Sequence, residues 1–197
     1  MIKPIAEACL RNQQPIVDAL QGLLLDPCKV LELGSGTGQH GVYCSQRLPH
    51  VLWQPSELEE NLAGIRMWRD EADLDNMLPP LMLDLDQPWP IDKADHVFSA
   101  NTVHYVALAT VKNMFASTAR VLPSKGLFII YGPVNENGKF TSEGNARLDE
   151  WLKTCVNRLA GIKDLDQIIS LAELQGLSLI ENLAMPANNR LLVFQKS

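Results

Sequence analysis

The feature that most constrains this chain is the run Lys29-Val30-Leu31-Glu32-Leu33, followed at once by Gly34-Ser35-Gly36-Thr37-Gly38. A brief β-branched and aliphatic run that stops at a glycine has the pattern of a buried first strand. Glycines at alternate positions then permit a sharp turn and leave no Cβ to hold a ligand off the backbone. A helix is expected to open near Gly38, and its first turn offers N–H groups that have no partner within the helix. The combination suits a nucleoside-type ligand lying across the loop, against the plainer reading of a loop that only turns the chain. The same stretch contains Gly36-x-Gly38-x-x-Gly41, which formally matches the dinucleotide fingerprint. In that register the first glycine falls late after the strand, and Glu32 occupies a place where a small apolar residue is usual. Dinucleotide binding is therefore the weaker match.

Short apolar runs alternate with amphipathic stretches along the rest of the chain. Pro15 suits the first turn of a leading helix with Ile16, Val17, Leu20, Leu23 and Leu24 on one face, ending near Asp26-Pro27. Strands are expected over residues 51–54, 80–83, 94–100 and 126–131. Helices are expected from Leu58 through Leu62 and Ile65 to Ala72, and over residues 111–121. Parallel strands with helical crossovers follow from this rhythm. Residues 133–146, PVNENGKFTSEGNA, are too polar to bury themselves and too long for an ordinary connection, which makes them a lid or substrate-loop candidate. Helices over 146–159 and 166–174 lead to two strands, 177–184 and 190–195, joined through MPANN.

Composition narrows the function. A chain of 197 residues with 46% hydrophobic content can bury one substantial core, so a single domain over residues 1–197 is expected. The net charge of -6 and the absence of any basic run argue against a nucleic-acid binder. No apolar run approaches the roughly 20 residues of a membrane helix, and the start carries no long apolar segment. No membrane partner is expected, and the expected compartment is the cytoplasm. Cys9, Cys28, Cys44 and Cys155 form no CxxC pair and no metal-like spacing with the histidines, so they read as free, mostly buried thiols with no metal site. A small, neutral or cationic substrate fits this balance.

The run Glu32 to Gly38 resembles the first motif of the class I S-adenosylmethionine-dependent methyltransferases, acid-x-Gly-x-Gly-x-Gly. Glu57 matches that family's acid after the second strand, and Asp84 its acid after the third. The resemblance implies an α/β, Rossmann-like three-layer sandwich whose mainly parallel seven-stranded sheet has an antiparallel last strand. It implies S-adenosylmethionine as cofactor, held by Glu32, Gly34, Ser35, Gly36, Gly38, Glu57, Asp84 and Asn101. Glu57 would take both ribose hydroxyls and Asp84 would approach the adenine amino group. For Glu57, a carboxylate complementing a helix N-terminus is the competing reading, and both can coexist. More narrowly, the chain looks like an uncharacterised methyltransferase-like subfamily with RNxxPI (from Arg11), SGTGxH (Ser35 to His40), WQPS (from Trp53) and MPANN (from Met185). Gly34 stands where many of those relatives carry Ala or Ser.

Residues after the fourth and fifth strands are the expected substrate side, because open α/β sheets bind ligands beyond the carboxyl ends of their strands. His104 is the candidate catalytic base, set against a cap or packing role, and Asn101 is expected to support the methionine portion or the loop. Tyr131, Asn135, Asn145 and Arg147 surround the polar segment. Arg147 reads either as an anchor for an anionic acceptor or as a solvated helix face. Asn188 and Asn189 read first as turn residues. Trp53, Trp68, Trp89 and Trp151 read as packing residues. The expected fourth motif is Ser99-Ala100-Asn101-Thr102, not Asn-Pro-Pro-aromatic, which weakens adenine or glutamine N-methylation. The expected function is methyl transfer to a small-molecule acceptor. The rivals are a non-catalytic S-adenosylmethionine-binding or regulatory protein and, further off, an NAD-dependent oxidoreductase.

Overall fold

A computed structural model describes residues 3–197. The first helix, α1 (Glu7–Leu23), buries Ile16, Val17 and Leu20 completely. It opens well before Pro15, which lies inside the helix and not in its first turn. Proline removes one bond to the carbonyl four residues back. Here the buried face that follows carries the helix through that loss. The parallel ladder of β1 (Cys28–Leu33) with β2 (Val51–Glu57) sets Leu33 beside Ser56. Strand β2 runs past the expected Gln54 to Glu57 and also pairs in parallel with β3 (Leu81–Met82). Between them lie α2 (Gln39–Arg47) and α3 (Glu59–Ala72), which meet in a cluster of Val42, Leu62, Ile65 and Met77. Leu58, expected on the buried face of α3, is instead its N-cap and is 38% exposed.

Strand β4 (His96–Ala100) is followed by α4 (Leu108–Val121) and β5 (Leu127–Pro133). Helix α5 (Glu143–Trp151) passes into a π-helical turn, Leu152–Val156, and α6 (Leu165–Glu173) precedes β6 (Leu177–Met185) and β7 (Asn189–Lys196). Phe115, Phe128 and Phe194 stack edge-on at 5.2 and 5.5 Å and anchor this half of the core. The seven strands take the order β3-β2-β1-β4-β5-β7-β6, and β7 is antiparallel to both of its neighbours. This is the expected mixed α/β sheet with an antiparallel last strand. The chain divides into two compact units, one ending at Phe98 and one starting at Ser99, with the division inside β4.

Among the described residues no helix is long and apolar enough to cross a membrane. All four cysteines are free, but only Cys44 is buried. Cys9 and Cys28 are half-buried and Cys155 is exposed, so the expectation of mostly buried thiols is corrected.

Candidate functional site

In the first unit the turn after β1 is built on three left-handed glycines, Gly34, Gly36 and Gly38, with φ of 67°, 55° and 89°. Their surroundings differ. A Cβ on Gly38 would meet Ile65 Cα at 3.1 Å, so this glycine lets α3 approach. A Cβ on Gly36 would meet nothing within 4 Å, so the loop has open space at that point. The underside of the loop is fastened by side chains. Ser35 Oγ donates to Glu32 Oε2 at 2.9 Å, Trp53 Nε1 donates to the same oxygen at 2.9 Å, and Ser56 N donates to Ser35 Oγ at 3.0 Å. Glu32 is 1% exposed, and burial pushes its carboxyl up to about 7 despite these donors. Glu32 and Ser35 are thus placed beneath the loop and shape it, whereas Gly36 faces the open side.

Glu57 closes the other edge of the loop. Its Oε2 accepts from Gly36 N at 2.9 Å and its Oε1 from Leu58 N at 2.8 Å, at the entrance to α3. One carboxylate therefore serves the helix start and the glycine loop together, and an ionised carboxylate has acceptor sites to spare. Leu83 N donates to the Glu57 carbonyl at 2.9 Å, which fixes the strand end next to Asp84. The half-buried Asp84 turns its Oδ1 to Asp86 N at 2.9 Å. Glu57 and the glycines are brought together, with Asp84 on the neighbouring strand end.

Helix α1 lies over the start of α2 through polar contacts that sequence reasoning recorded only as motifs. His40 Nε2 donates to Asn12 Oδ1 at 2.7 Å, and the Cys9 thiol lies 3.7 Å from Nδ1. Burial lowers the His40 pKa to about 4, which keeps this ring neutral. Gln39 Oε1 accepts from Ala6 N at 2.5 Å and Thr37 Oγ1 at 2.9 Å. The RNxxPI and SGTGxH segments are therefore one contact, and Trp53 of WQPS is the donor that satisfies buried Glu32. A buried acid two residues before a glycine run demands such a donor. The sequence showed the demand without the partner.

In the second unit Asn101 adopts φ of 58° just past β4, and its N–H donates to the Tyr131 carbonyl at 2.8 Å. His104 does not take the helix-cap role set against catalysis: α4 opens at Leu108 with Ala107 as N-cap, and His104 lies in the turn before it. A Cβ built on Gly132 would lie 3.5 Å from His104 Nδ1 and 3.9 Å from Asn101 Oδ1, so both side chains flank that glycine. The His104 ring is 4% exposed and stands 5.0 Å from the Tyr105 ring, which meets Trp151 edge-on at 6.4 Å. Burial, then the positive charge of Lys163, lowers the His104 pKa to about 4. The ring lines a small surface concavity together with Tyr131, Val134, Ile168, Arg190 and Leu192.

The other candidates separate cleanly. Arg147 is solvent-facing and lies 3.7 Å from Glu143 on the same helix, the solvated-face arrangement. Asn145 is buried at the start of α5, where its N–H donates to the Ser142 cap at 3.1 Å. Asn135 N donates to Lys163 O at 2.9 Å. Asn188 has φ of 57° in the β6–β7 turn, and Asn189 Nδ2 donates to Tyr131 Oη at 3.0 Å. Trp151 is 46% exposed, so its expected packing role is corrected, while Trp53 and Trp89 are buried. Lys163, which sequence reasoning passed over, is buried beside His104.

A family model described as "Protein of unknown function (DUF938)" matches residues 3–196. Among solved structures, an O-methyltransferase family protein from Burkholderia thailandensis is 19% identical at a TM-score of 0.85, over 97% of this chain and 58% of that one. The mitomycin 7-O-methyltransferase MmcR is 14% identical at 0.83, over 96% and 54%. The S-adenosylmethionine-dependent methyltransferase SibL is 15% identical at 0.80, over 95% and 55%. The chain spans a little over half the length of these structures, and at such identities the likeness shows the fold, that of Rossmann-like methyltransferases.

Proposed function

The chain belongs to the DUF938 family, and from the site it carries we propose that it is a cytoplasmic, single-domain S-adenosylmethionine-dependent methyltransferase acting on a small-molecule acceptor. The observation that carries this reading is the Glu57 carboxylate held at Gly36 N, 2.9 Å away, beside a glycine with open space above it. A ribose diol lying on Gly36 would find the Glu57 carboxylate at its edge. Gly34, Gly36 and Gly38 would supply the backbone surface, Glu57 the ribose contacts and Asp84 the adenine edge, with Asn101 toward the methionine portion. Glu32 and Ser35 would act by holding the loop in shape. Bound there, S-adenosylmethionine supplies a methyl group on a sulfonium sulfur. The fold supports the same cofactor, and four free thiols, one of them exposed, suit a reducing compartment.

Two matched structures are described as O-methyltransferases, which makes a hydroxyl the acceptor we favour here. Transfer breaks the sulfur–carbon bond, forms the oxygen–carbon bond and releases the hydroxyl proton. His104 is our candidate to accept that proton. With a pKa of about 4 its ring is neutral at pH 7 and can accept a hydrogen bond. It is a weak base toward a free hydroxyl, but a hydroxyl becomes far more acidic as its oxygen is methylated, so a weak base placed on it suffices late in transfer.

Calorimetric titration tests the cofactor. S-adenosylhomocysteine should bind at least tenfold more tightly than NAD, about 1.4 kcal/mol, and equal or reversed affinities would end the reading. Glu57→Ala should weaken S-adenosylhomocysteine by ~1.5–3 kcal/mol, the range for hydrogen bonds to a charged group. An unchanged dissociation constant would leave Glu57 only its place at the start of α3.

A further inference from the structure

We propose that Lys163 is a positioning residue: its buried ammonium, donating to Val106 O at 2.6 Å and Gly161 O at 2.8 Å, holds the turn that carries His104 against residues 161–163. The inference deepens the methyltransferase reading and rests on it for the role of His104.

Lys163 is 7% exposed and its ammonium is given to two backbone carbonyls. The nearby buried carboxylate, Asp149, is engaged elsewhere, accepting from Lys153 Nζ at 2.5 Å and from Ile162 N at 2.7 Å. Burying an ammonium is expensive unless its donors are satisfied. An aliphatic residue would fill such a place at less cost, so the lysine calls for a reason that packing does not provide. The backbone around it supplies one. Gly161 N donates to His104 O at 2.9 Å, so residues 104 and 106 are gripped from 161 and 163 side by side. Asn135 N donates to Lys163 O at 2.9 Å, and Asn135 Nδ2 donates to Ile162 O at 3.2 Å. A three-residue segment thus ties the turn after β4 to the chain after β5, the two places that flank Gly132. The segment is itself tightly seated. A Cβ on Gly161, at φ of 136°, would fall 2.6 Å from Asp149 Oδ1 and 2.9 Å from Lys153 Cε.

The turn from Asn101 to Ala107 contains no regular element. Its start is held by Asn101 N on the Tyr131 carbonyl, and its middle and end by Gly161 N on the His104 carbonyl and by Lys163 on the Val106 carbonyl. With the clamp, the His104 ring is held next to Gly132. The charged groups around it are few. Lys163 acts on it through its charge, Asp149 and Lys153 act on Lys163, and Arg190 on the same pocket wall is paired with Glu136 at 2.6 Å. An ammonium so placed opposes protonation of the ring and keeps it neutral to lower pH.

The test uses the full chain. Histidine ring signals are titrated by NMR, and exchange of the Gly161 amide is followed, in the wild type, Lys163→Met and Lys163→Arg. In Lys163→Met the His104 pKa should rise by at least half a unit and Gly161 exchange should quicken tenfold or more, with the β5–β7 amides unchanged. Lys163→Arg, which keeps the charge and donors, should restore both in large part. A folded Lys163→Met protein with neither change overturns the proposal. If that variant does not fold, Lys163→Gln decides by the same His104 titration: a raised pKa supports the clamp and an unmoved one overturns it. His104→Asn, assayed for methyl transfer and for S-adenosylhomocysteine affinity, tests the base reading separately. Retained turnover there removes the base and leaves the Lys163 result standing.

Discussion

Two glycines separated by one residue do different work in the loop, and substitution can tell them apart. Gly36 and Gly38 both have positive φ, which costs an L-residue ~1–2 kcal/mol. Only at Gly38 would a new Cβ also strike backbone, Ile65 Cα at 3.1 Å, adding an overpacking penalty of ~1–3 kcal/mol. Gly38→Ala should therefore lower unfolding stability by ~2–5 kcal/mol in urea. Gly36→Ala should lower it by no more than ~2 kcal/mol. The order reverses for binding. A methyl on Gly36 enters the open space where the proposed ligand lies, so Gly36→Ala, and more so Gly36→Val, should weaken S-adenosylhomocysteine with the fold retained. Full affinity in folded Gly36→Val would show that the ligand does not use this face of the loop.

Among the elements, the polar stretch after β5 is the one whose reading changes most. It spans residues 133–146 by composition, but Pro133 belongs to β5, Val134 is buried, and α5 takes over at Glu143. Asn135 bridges to Asp164, and Gly138 N donates to Asp164 Oδ2 at 2.6 Å. Lys139 is paired back onto Glu136, so what is left to move is the short piece from Phe140 to Ser142, with Phe140 44% exposed. Few buried contacts and exposed amides make such a piece cheap to open. Its amides should exchange quickly in the free protein and slow when S-adenosylhomocysteine and an acceptor are present, while Asn135 and Gly138 stay protected throughout. Protection of residues 140–142 without ligand would remove the lid. The same segment shows what a sequence can reveal. Periodicity and turn residues located every strand and the glycine loop, because those signals are local. Anchoring of Asn135 and Gly138 by Asp164 was hidden because the partners lie far apart in the chain and carry no spacing. Lys163 was hidden for the same reason: nothing in its neighbours announces a buried ammonium. Pro15 misled in the opposite direction, since its local preference for a helix start was overridden by the packing of Ile16, Val17 and Leu20.

At the scale of the whole molecule, the buried ionisable groups set how stability depends on pH, and they pull against one another. Burial raises Glu32 from 4.5 to about 7, so the unfolded chain releases this proton first and the folded state loses stability as pH rises through that window. His40 and His104 are both lowered from 6.5 to about 4, so they contribute stability above 6.5 that is lost as pH falls toward 4. His96 is lowered as well and acts in the histidine direction. Between about pH 4.5 and 6.5 the histidines outweigh the single acid, so unfolding free energy should rise with pH in that range. Each uncompensated proton contributes about 1.4 kcal/mol per pH unit. Glu32→Gln isolates the opposing contribution. The amide keeps an acceptor for Ser35 and Trp53 but cannot ionise, so the variant should gain on the wild type as pH rises from 5 to 8. The relative gain should be ~3 kcal/mol at most, whatever constant offset the altered hydrogen bonds introduce. Urea unfolding of both proteins at several pH values measures it directly. A difference that stays flat from pH 5 to 8 would mean that Glu32 titrates alike in folded and unfolded chains, and that the acid beneath the glycine loop is not held in the buried, proton-retaining state described here.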